Sequence, residues 1–160
     1  MFSNGFVLFI PIFIWNLVFW KKLPPEFENK AFDADIPKFI LAVEAILRMV
    51  VFLMPLFMML DYSNSLGLCV FVFGVIIYFL SWALLMANPN SKWSKSLIGF
   101  TAPAYTPIIW LVGFALLAKS FYFHVSYKAW FYIGPSFLFV FFHFLHSKRA
   151  YENSRNAKTV

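Results

Sequence analysis

The chain has 160 residues, of which 62% are hydrophobic and 12% charged, whereas soluble domains are about 45–50% apolar and about 25% charged. This composition excludes a water-soluble domain and predicts an integral membrane protein whose solvent is lipid. The net charge of +6 does not indicate a nucleic-acid partner, because the basic residues flank apolar runs, and the single cysteine, Cys69, excludes an internal disulfide.

Five apolar segments are long enough to cross a membrane, since about 20 helical residues span about 30 Å of hydrocarbon. In chain order they are residues 2–20, 36–60, 66–87, 97–118 and 129–147. The predicted fold is therefore all-α. It is a single transmembrane domain over residues 1–160, a bundle of five transmembrane helices that ends in a short basic tail at 148–160.

The basic residues predict the direction of the spans. The first segment has no basic residue before its apolar run, no small-x-small cleavage site after it, and Lys21 and Lys22 at its end, so we expect an uncleaved span with its N-terminus outside. Ten basic residues then lie on the inside and two, Lys119 and Lys128, on the outside. This asymmetry predicts a cytoplasmic C-terminus in a multi-pass protein of the cell membrane, and the short loops favour a bacterial cytoplasmic membrane.

The connection after the first span, residues 21–35, is almost neutral, because Glu26, Glu28, Asp33 and Asp35 offset its lysines. It is either a solvated surface loop or a docking surface for a peripheral partner.

The second span carries two charged residues, Glu44 and Arg48, within an otherwise apolar run. A charge at the centre of a membrane helix costs about 2.5–3.5 kcal/mol, and the i, i+4 spacing lets the two side chains pair on one helix face. Two interpretations remain open: an internal ion pair that fixes helix packing, or a pair that lines a cavity and meets a ligand.

Polar residues of the later spans lie at a similar depth, in the predicted cytoplasmic half. Because residues that need hydrogen-bond partners gather there, we expect a polar cavity. The fourth span also holds Pro103 and Pro107, which remove backbone donors and predict either a broken helix at a binding site or an ordinary kink. The candidate ligand-binding residues are Glu44, Arg48, Tyr78, Thr101, Tyr105, Thr106 and His143.

His143 and His146 stand at i, i+3 on the fifth span, a spacing that two metal ligands could use. Zinc generally takes three or four ligands, and no further pair stands out, so we predict no metal site. His146 is expected at the membrane edge, in a solvated or headgroup-facing position. The sequence assigns no catalytic residue and no cofactor.

Three functions fit this pattern. The first is a membrane protein, surrounded by lipid, that binds a small amphiphilic or anionic ligand or both binds and translocates it. The second is an enzyme acting on a lipid or isoprenoid at the inner leaflet, with His143 and Glu44 as acid–base groups and Arg48 holding phosphate. The third is a non-catalytic membrane partner, such as an assembly subunit or a bacteriocin-immunity type of protein. The expected protein partner is a second copy of the chain or another membrane protein.

Overall fold

A computed structural model describes residues 2–23, 27, 32–33, 35–123 and 125–156. The chain is mostly helical, at 76%. The helices are α1 (Ile10–Phe19), α2 (Lys38–Leu53), α3 (Ser65–Ala87), α4 (Leu97–Tyr105), α5 (Pro107–Leu117) and α6 (Trp130–Asn156). Short 3₁₀ turns lie at Gly5–Phe9, Trp20–Lys22 and Met54–Phe57.

Within the described part of the chain, three helical segments are long and apolar enough to cross a membrane: Lys38–Phe57, Ser65–Ala87 and Leu97–Leu117. They correspond to the second, third and fourth predicted spans. The first predicted span forms a shorter apolar helix, Gly5–Phe19, and the fifth lies within α6, which is 27 residues long and continues past residue 147 to Asn156. Three such segments are consistent with a membrane protein.

The exterior of the bundle is apolar. Leu17 on α1, Ile46 on α2 and Phe73 on α3 are each at least 60% exposed, a pattern that soluble monomers avoid over large areas. Only 17% of the apolar window in Lys38–Phe57 and 28% of that in Ser65–Ala87 is buried, against 72% in Leu97–Leu117. The α4–α5 segment is therefore the centre of the bundle, and the other helices surround it.

A small antiparallel sheet joins the segments at one end of the bundle. Its strands are β1 (Phe2–Asn4), β2 (Met58–Asp61) and β3 (Ala118–Phe121), in the order β1-β2-β3. Phe2 pairs with Asp61, and Met58 pairs with Phe121, with an irregularity between Met59 and Leu60. The all-α prediction omitted this sheet, because strands of three or four residues are too short for an alternating pattern to be recognised.

The fourth predicted span is broken, as the two prolines suggested. α4 ends at Tyr105, Thr106 links the helices, and Pro107 occupies the first turn of α5, where its missing N–H needs no helical acceptor. The N–H of Thr106 still donates to the carbonyl of Ala102 at 3.0 Å. The break is consequently confined to Thr106, whose backbone stays in the right-handed helical region, within one continuous apolar segment.

Asp61, at the end of β2, gives the sheet a pH-sensitive contact. Its carboxylate accepts from the Ser63 hydroxyl at 2.7 Å, from the Ser63 N–H at 3.0 Å and from Lys119 Nζ at 3.2 Å. These donors, led by the Ser63 hydroxyl, lower the pKa of Asp61 from its ordinary 3.8 to about 2.

A group whose pKa is lower in the folded state stabilises the fold above its unfolded pKa and loses that effect as the pH falls through the folded value. We therefore expect the free energy of unfolding of the wild type to exceed that of Asp61→Asn by a steady amount above about pH 4. The difference should shrink as the pH approaches 2. Denaturant titrations in detergent measure both curves, and a difference independent of pH would contradict this role.

Candidate functional site

The site is centred on Glu44 of α2, whose side chain is only 2% exposed. Its Oε1 accepts from Nη2 of Arg48, one turn further along α2, and lies 3.0 Å from Nδ1 of His143 on α6. Its Oε2 lies 2.6 Å from Nδ1 of His146, also on α6. One buried carboxylate is thus shared by an arginine and two histidines. We call Glu44, Arg48, His143 and His146 the charged cluster.

Two different features of the chain assemble this cluster. Arg48 is within reach of Glu44 because residues four apart lie on the same helix face. His143 and His146 reach Glu44 because α6 packs along α2, and their i, i+3 spacing places both on the face that meets it. The fold therefore joins a local pair on one helix to a local pair on another.

His146 lies inside the protein, where the sequence analysis had expected a membrane-edge residue. Its side chain is 6% exposed. Its second ring nitrogen, Nε2, lies 3.3 Å from the carbonyl oxygen of Phe32 and 3.2 Å from Oδ1 of Asp33. Burial follows from the length of α6, which does not end near residue 147. The signal that could have located His146 was its spacing from His143 together with a buried carboxylate at similar depth.

The two histidines therefore share a carboxylate as their common partner. Within the described ranges of the chain, no group of three or more His, Cys, Asp or Glu side chains is arranged to hold a metal ion. The Asp33 carboxylate, which the sequence analysis placed in a loop or docking surface, bonds to His146, while Glu26 and Glu28 lie outside the described residues.

A cavity of about 560 Å³ lies beside the charged cluster, and its wall includes Arg48 and His143. Its other polar side chains are Asn16 of α1 and Tyr78 of α3. The rest of the wall is apolar and rich in aromatic rings: Ile12, Phe13, Trp15, Phe19, Leu23, Met49, Phe52, Trp82, Met86, Pro103, Pro107, Trp110 and Phe139. The α3 residues in this wall come from the half of that helix that lies away from the sheet.

Two polar features of the wall differ in how they are satisfied. The Tyr78 hydroxyl donates to Oδ1 of Asn16 at 2.9 Å, which links α3 to α1 across the cavity wall. The indole N–H of Trp110 is buried and has no hydrogen-bond partner among the described residues. A buried donor without a partner is destabilising.

The structure brings four of the predicted site residues together and separates the other three. Glu44, Arg48 and His143 meet in the charged cluster, and Tyr78 faces the same cavity. Thr101 instead donates to the carbonyl of Leu97 at 2.8 Å, and Tyr105 donates to that of Ile98 at 3.3 Å.

Thr106 is buried at the α4–α5 junction, where its hydroxyl has no partner among the described residues. From the same broken segment, the two prolines line the cavity in place of these three polar residues.

These features define a predominantly helical protein, compatible with a membrane, that places a charged cluster against an aromatic cavity. Comparisons with known protein families, with curated proteins and with solved structures found no match to this chain. The functional argument therefore depends on the geometry of the site.

Proposed function

We propose that the chain is a multi-pass membrane protein of the cell membrane, with five spans, its N-terminus outside and its C-terminus in the cytoplasm. The apolar exterior and the three candidate spans support membrane insertion. The distribution of basic residues supports the direction, since ten lie on the proposed inner side and two on the outer side. In this orientation the sheet lies at the outer end of the bundle and the cavity lies in the inner half.

We propose that the cavity binds a small amphiphilic anion, such as a phosphate or carboxylate carried on an apolar body. The single observation that supports this function is the cavity wall, in which the Arg48 guanidinium and the His143 ring stand among aromatic and aliphatic side chains. Apolar lining with a few convergent polar groups is typical of ligand sites. The anionic group would contact Arg48, and the apolar body would lie along the rings of Trp15, Trp82 and Trp110.

Arg48 is able to bind an anion while it remains paired with Glu44. The bond to Glu44 uses Nη2, and a guanidinium has five N–H donors, so donors remain for a second acceptor. The Arg48 side chain is 52% exposed although its partner Glu44 is buried. Arg48 is also part of the cavity wall. Such charge-assisted, bidentate contacts favour phosphate and carboxylate over neutral groups.

A membrane-embedded enzyme is the second candidate, and one observation favours it. His143 Nδ1 lies 3.0 Å from Glu44, which is the arrangement of a histidine oriented by a carboxylate for acid–base chemistry. In that case Arg48 would hold the phosphate of a lipid or isoprenoid substrate. Lipid extracts incubated with the purified protein would yield a product if this function is correct, whereas a binding protein would return them unchanged.

Arg48→Ala tests the binding function directly. We expect it to weaken the binding of dodecyl phosphate about 10- to 100-fold, because a hydrogen bond to a charged group contributes about 1.5–3 kcal/mol. The affinity of Arg48→Lys, which keeps the charge but lacks the planar guanidinium, should lie between that of the wild type and that of Arg48→Ala. Titration calorimetry and ligand-induced thermal shift measure the affinity, with dodecanol and dodecyltrimethylammonium as neutral and cationic probes of equal chain length.

Arg149→Ala is the matched control, because Arg149 is an exposed arginine of α6 that pairs with Glu152. It should bind dodecyl phosphate as the wild type does. Equal affinity in the wild type, Arg48→Ala and Arg149→Ala would overturn the proposed site, and equal affinity for all three probes would indicate partition without recognition.

A further inference from the structure

A series of close polar contacts, two hydrogen bonds to Glu44 and one ion-pair contact to Asp33, connects the surface to the cavity. It begins at Asp33, whose side chain is 54% exposed and whose Oδ1 lies 3.2 Å from Nε2 of His146. Nδ1 of His146 lies 2.6 Å from one oxygen of Glu44, and the other oxygen lies 3.0 Å from Nδ1 of His143. His143 is in turn part of the cavity wall. Every link is between groups that gain and lose protons, and chains of Asp, Glu and His are the usual proton routes inside membrane proteins.

One arrangement of protons satisfies all of these contacts. Both ring nitrogens of His146 face oxygen acceptors, so the doubly protonated ring satisfies both contacts when Asp33 and Glu44 are ionised. His143 has its Nδ1 beside the carboxylate of Glu44, and the neutral ring that donates there carries a lone pair on Nε2. In this state the two carboxylates balance Arg48 and His146, and His143 is the uncharged member at the cavity.

We propose that His146, Glu44 and His143 form a proton-transfer chain between water at Asp33 and the cavity. A proton that reaches Nε2 of His143 from the cavity moves the Nδ1 proton onto Oε1 of Glu44. The neutralised carboxyl no longer holds the charge of His146, which releases its Nε2 proton to Asp33 and water. One proton enters and one leaves, and only N–H and O–H bonds change. Rotation of the carboxyl group and exchange of ring tautomers reset the chain, and the reverse sequence carries a proton inward.

Among the residues that the structure describes, few other charged groups contact the proton-transfer chain. From α2 the facing groups are Glu44 and Arg48, from the segment before α2 they are Asp33 and the Phe32 carbonyl, and from α6 the histidines themselves. The next charged residues of α6 are exposed and paired with one another: Lys148 and Arg149 both contact Glu152. The route therefore runs between one exposed carboxylate and one cavity.

The proposal is tested without any ligand by NMR of protein labelled with ¹⁵N-histidine in lipid nanodiscs. The measured quantity is the rate at which the proton on Nδ1 of His143, the ring nitrogen that faces Glu44, exchanges with water. His146→Gln should slow this exchange about a hundredfold, which is at the low end of what a positioned acid–base group contributes to proton transfer. Asp33→Asn, a substitution at an exposed position, should slow it by a smaller factor while leaving the melting temperature unchanged.

Lys148→Gln is the control, because it changes a charge on the same part of α6 without touching the chain of bonds. It should exchange as the wild type does. If Asp33→Asn and His146→Gln both exchange at the wild-type rate, protons reach His143 by another route and the proposal is wrong. Asp33→Asn keeps the test decisive even if His146→Gln fails to fold.

A second measurement extends the chain to the ligand and rests on the proposed function. Calorimetry of dodecyl phosphate binding in two buffers of different ionisation enthalpy should show about one proton exchanged with the buffer by the wild type and none by His143→Gln. Binding with no proton exchanged would separate the chain from ligand binding. If dodecyl phosphate does not bind at all, the proposed function is wrong, and the exchange rates alone still decide the proton route.

Discussion

Glu44→Ala is expected to lower the free energy of unfolding by about 1–3 kcal/mol, the cost of leaving a buried hydrogen-bonding group without its partner. Glu44 is the common acceptor of Arg48, His143 and His146, so its loss leaves three donors of α2 and α6 without their shared partner. Denaturant unfolding in detergent, followed by circular dichroism, measures the effect. The stability of Glu44→Gln should lie between that of the wild type and that of Glu44→Ala, since an amide keeps the shape of the side chain and one acceptor oxygen.

Glu152→Ala is the control for this prediction. Glu152 also contacts two cationic side chains, Lys148 at 3.8 Å and Arg149 at 3.5 Å, but it is 41% exposed. Exposed ion pairs contribute about 0–1 kcal/mol, so this variant should unfold nearly as the wild type does. If Glu44→Ala and Glu152→Ala lose equal stability, Glu44 does not organise the packing of α2 against α6.

The sequence located the local parts of the site, because helical spacing carries that information. Residues four apart share a face, so the contact between Glu44 and Arg48 could be predicted from their positions. The prolines at 103 and 107 predicted either a broken helix or a kink, and in the structure Thr106 alone separates α4 from α5. The number of membrane crossings and their direction stay predictions.

Some predicted site residues do not reach the cavity, because the depth of a residue along a span does not determine which way its side chain points. Depth along a span gives the height of a side chain in the bundle, but not the side of the helix on which it lies. The hydroxyl of Thr101 donates to the carbonyl of Leu97, one turn earlier in its own helix, as Ser and Thr in apolar helices commonly do. His146 differs for another reason. The predicted span ends at residue 147, next to His146, whereas α6 continues to Asn156.

The aromatic part of the cavity could not be predicted at all. The chain has 23 Phe, and an aromatic ring suits lipid, a protein core or a ligand equally well. Phe52 and Phe139 line the cavity, whereas Phe39 and Phe137 are exposed on the same two helices. Only the packing of one helix on another separates these roles.

The packing of α3 against α5 underlies the second large effect, expected for Gly74→Ala. A Cβ on Gly74 would lie 2.3 Å from the backbone nitrogen of Trp110 and 2.8 Å from its Cα. Backbone atoms of a helix cannot rotate away as a side chain does, so the helices must separate. Forcing extra atoms into a packed contact costs about 1–3 kcal/mol, and we expect the upper end here because the contact is with backbone.

Gly113→Ala should behave in the same way, since its Cβ would lie 2.3 Å from the backbone nitrogen of Phe71 on the facing helix. Small residues at such contacts are how helices approach closely where the surrounding lipid supplies no hydrophobic drive. Gly134→Ala is the matched control, because a Cβ at that position of α6 would meet nothing within 4 Å. It should unfold like the wild type or slightly later, as alanine favours helix by about 1 kcal/mol over glycine.

Gly74→Ala should affect ligand binding as well as stability. Trp110 is both the backbone neighbour of Gly74 and part of the cavity wall, with an indole N–H that no described residue accepts. Moving α5 away from α3 would therefore displace this ring, and Gly74→Ala should weaken dodecyl phosphate binding as well as lower the free energy of unfolding. Gly113→Ala, whose neighbour Phe71 is not part of the wall, should lower stability with a smaller effect on binding. Equal losses of affinity in the two variants would show that binding follows global stability and not the position of Trp110.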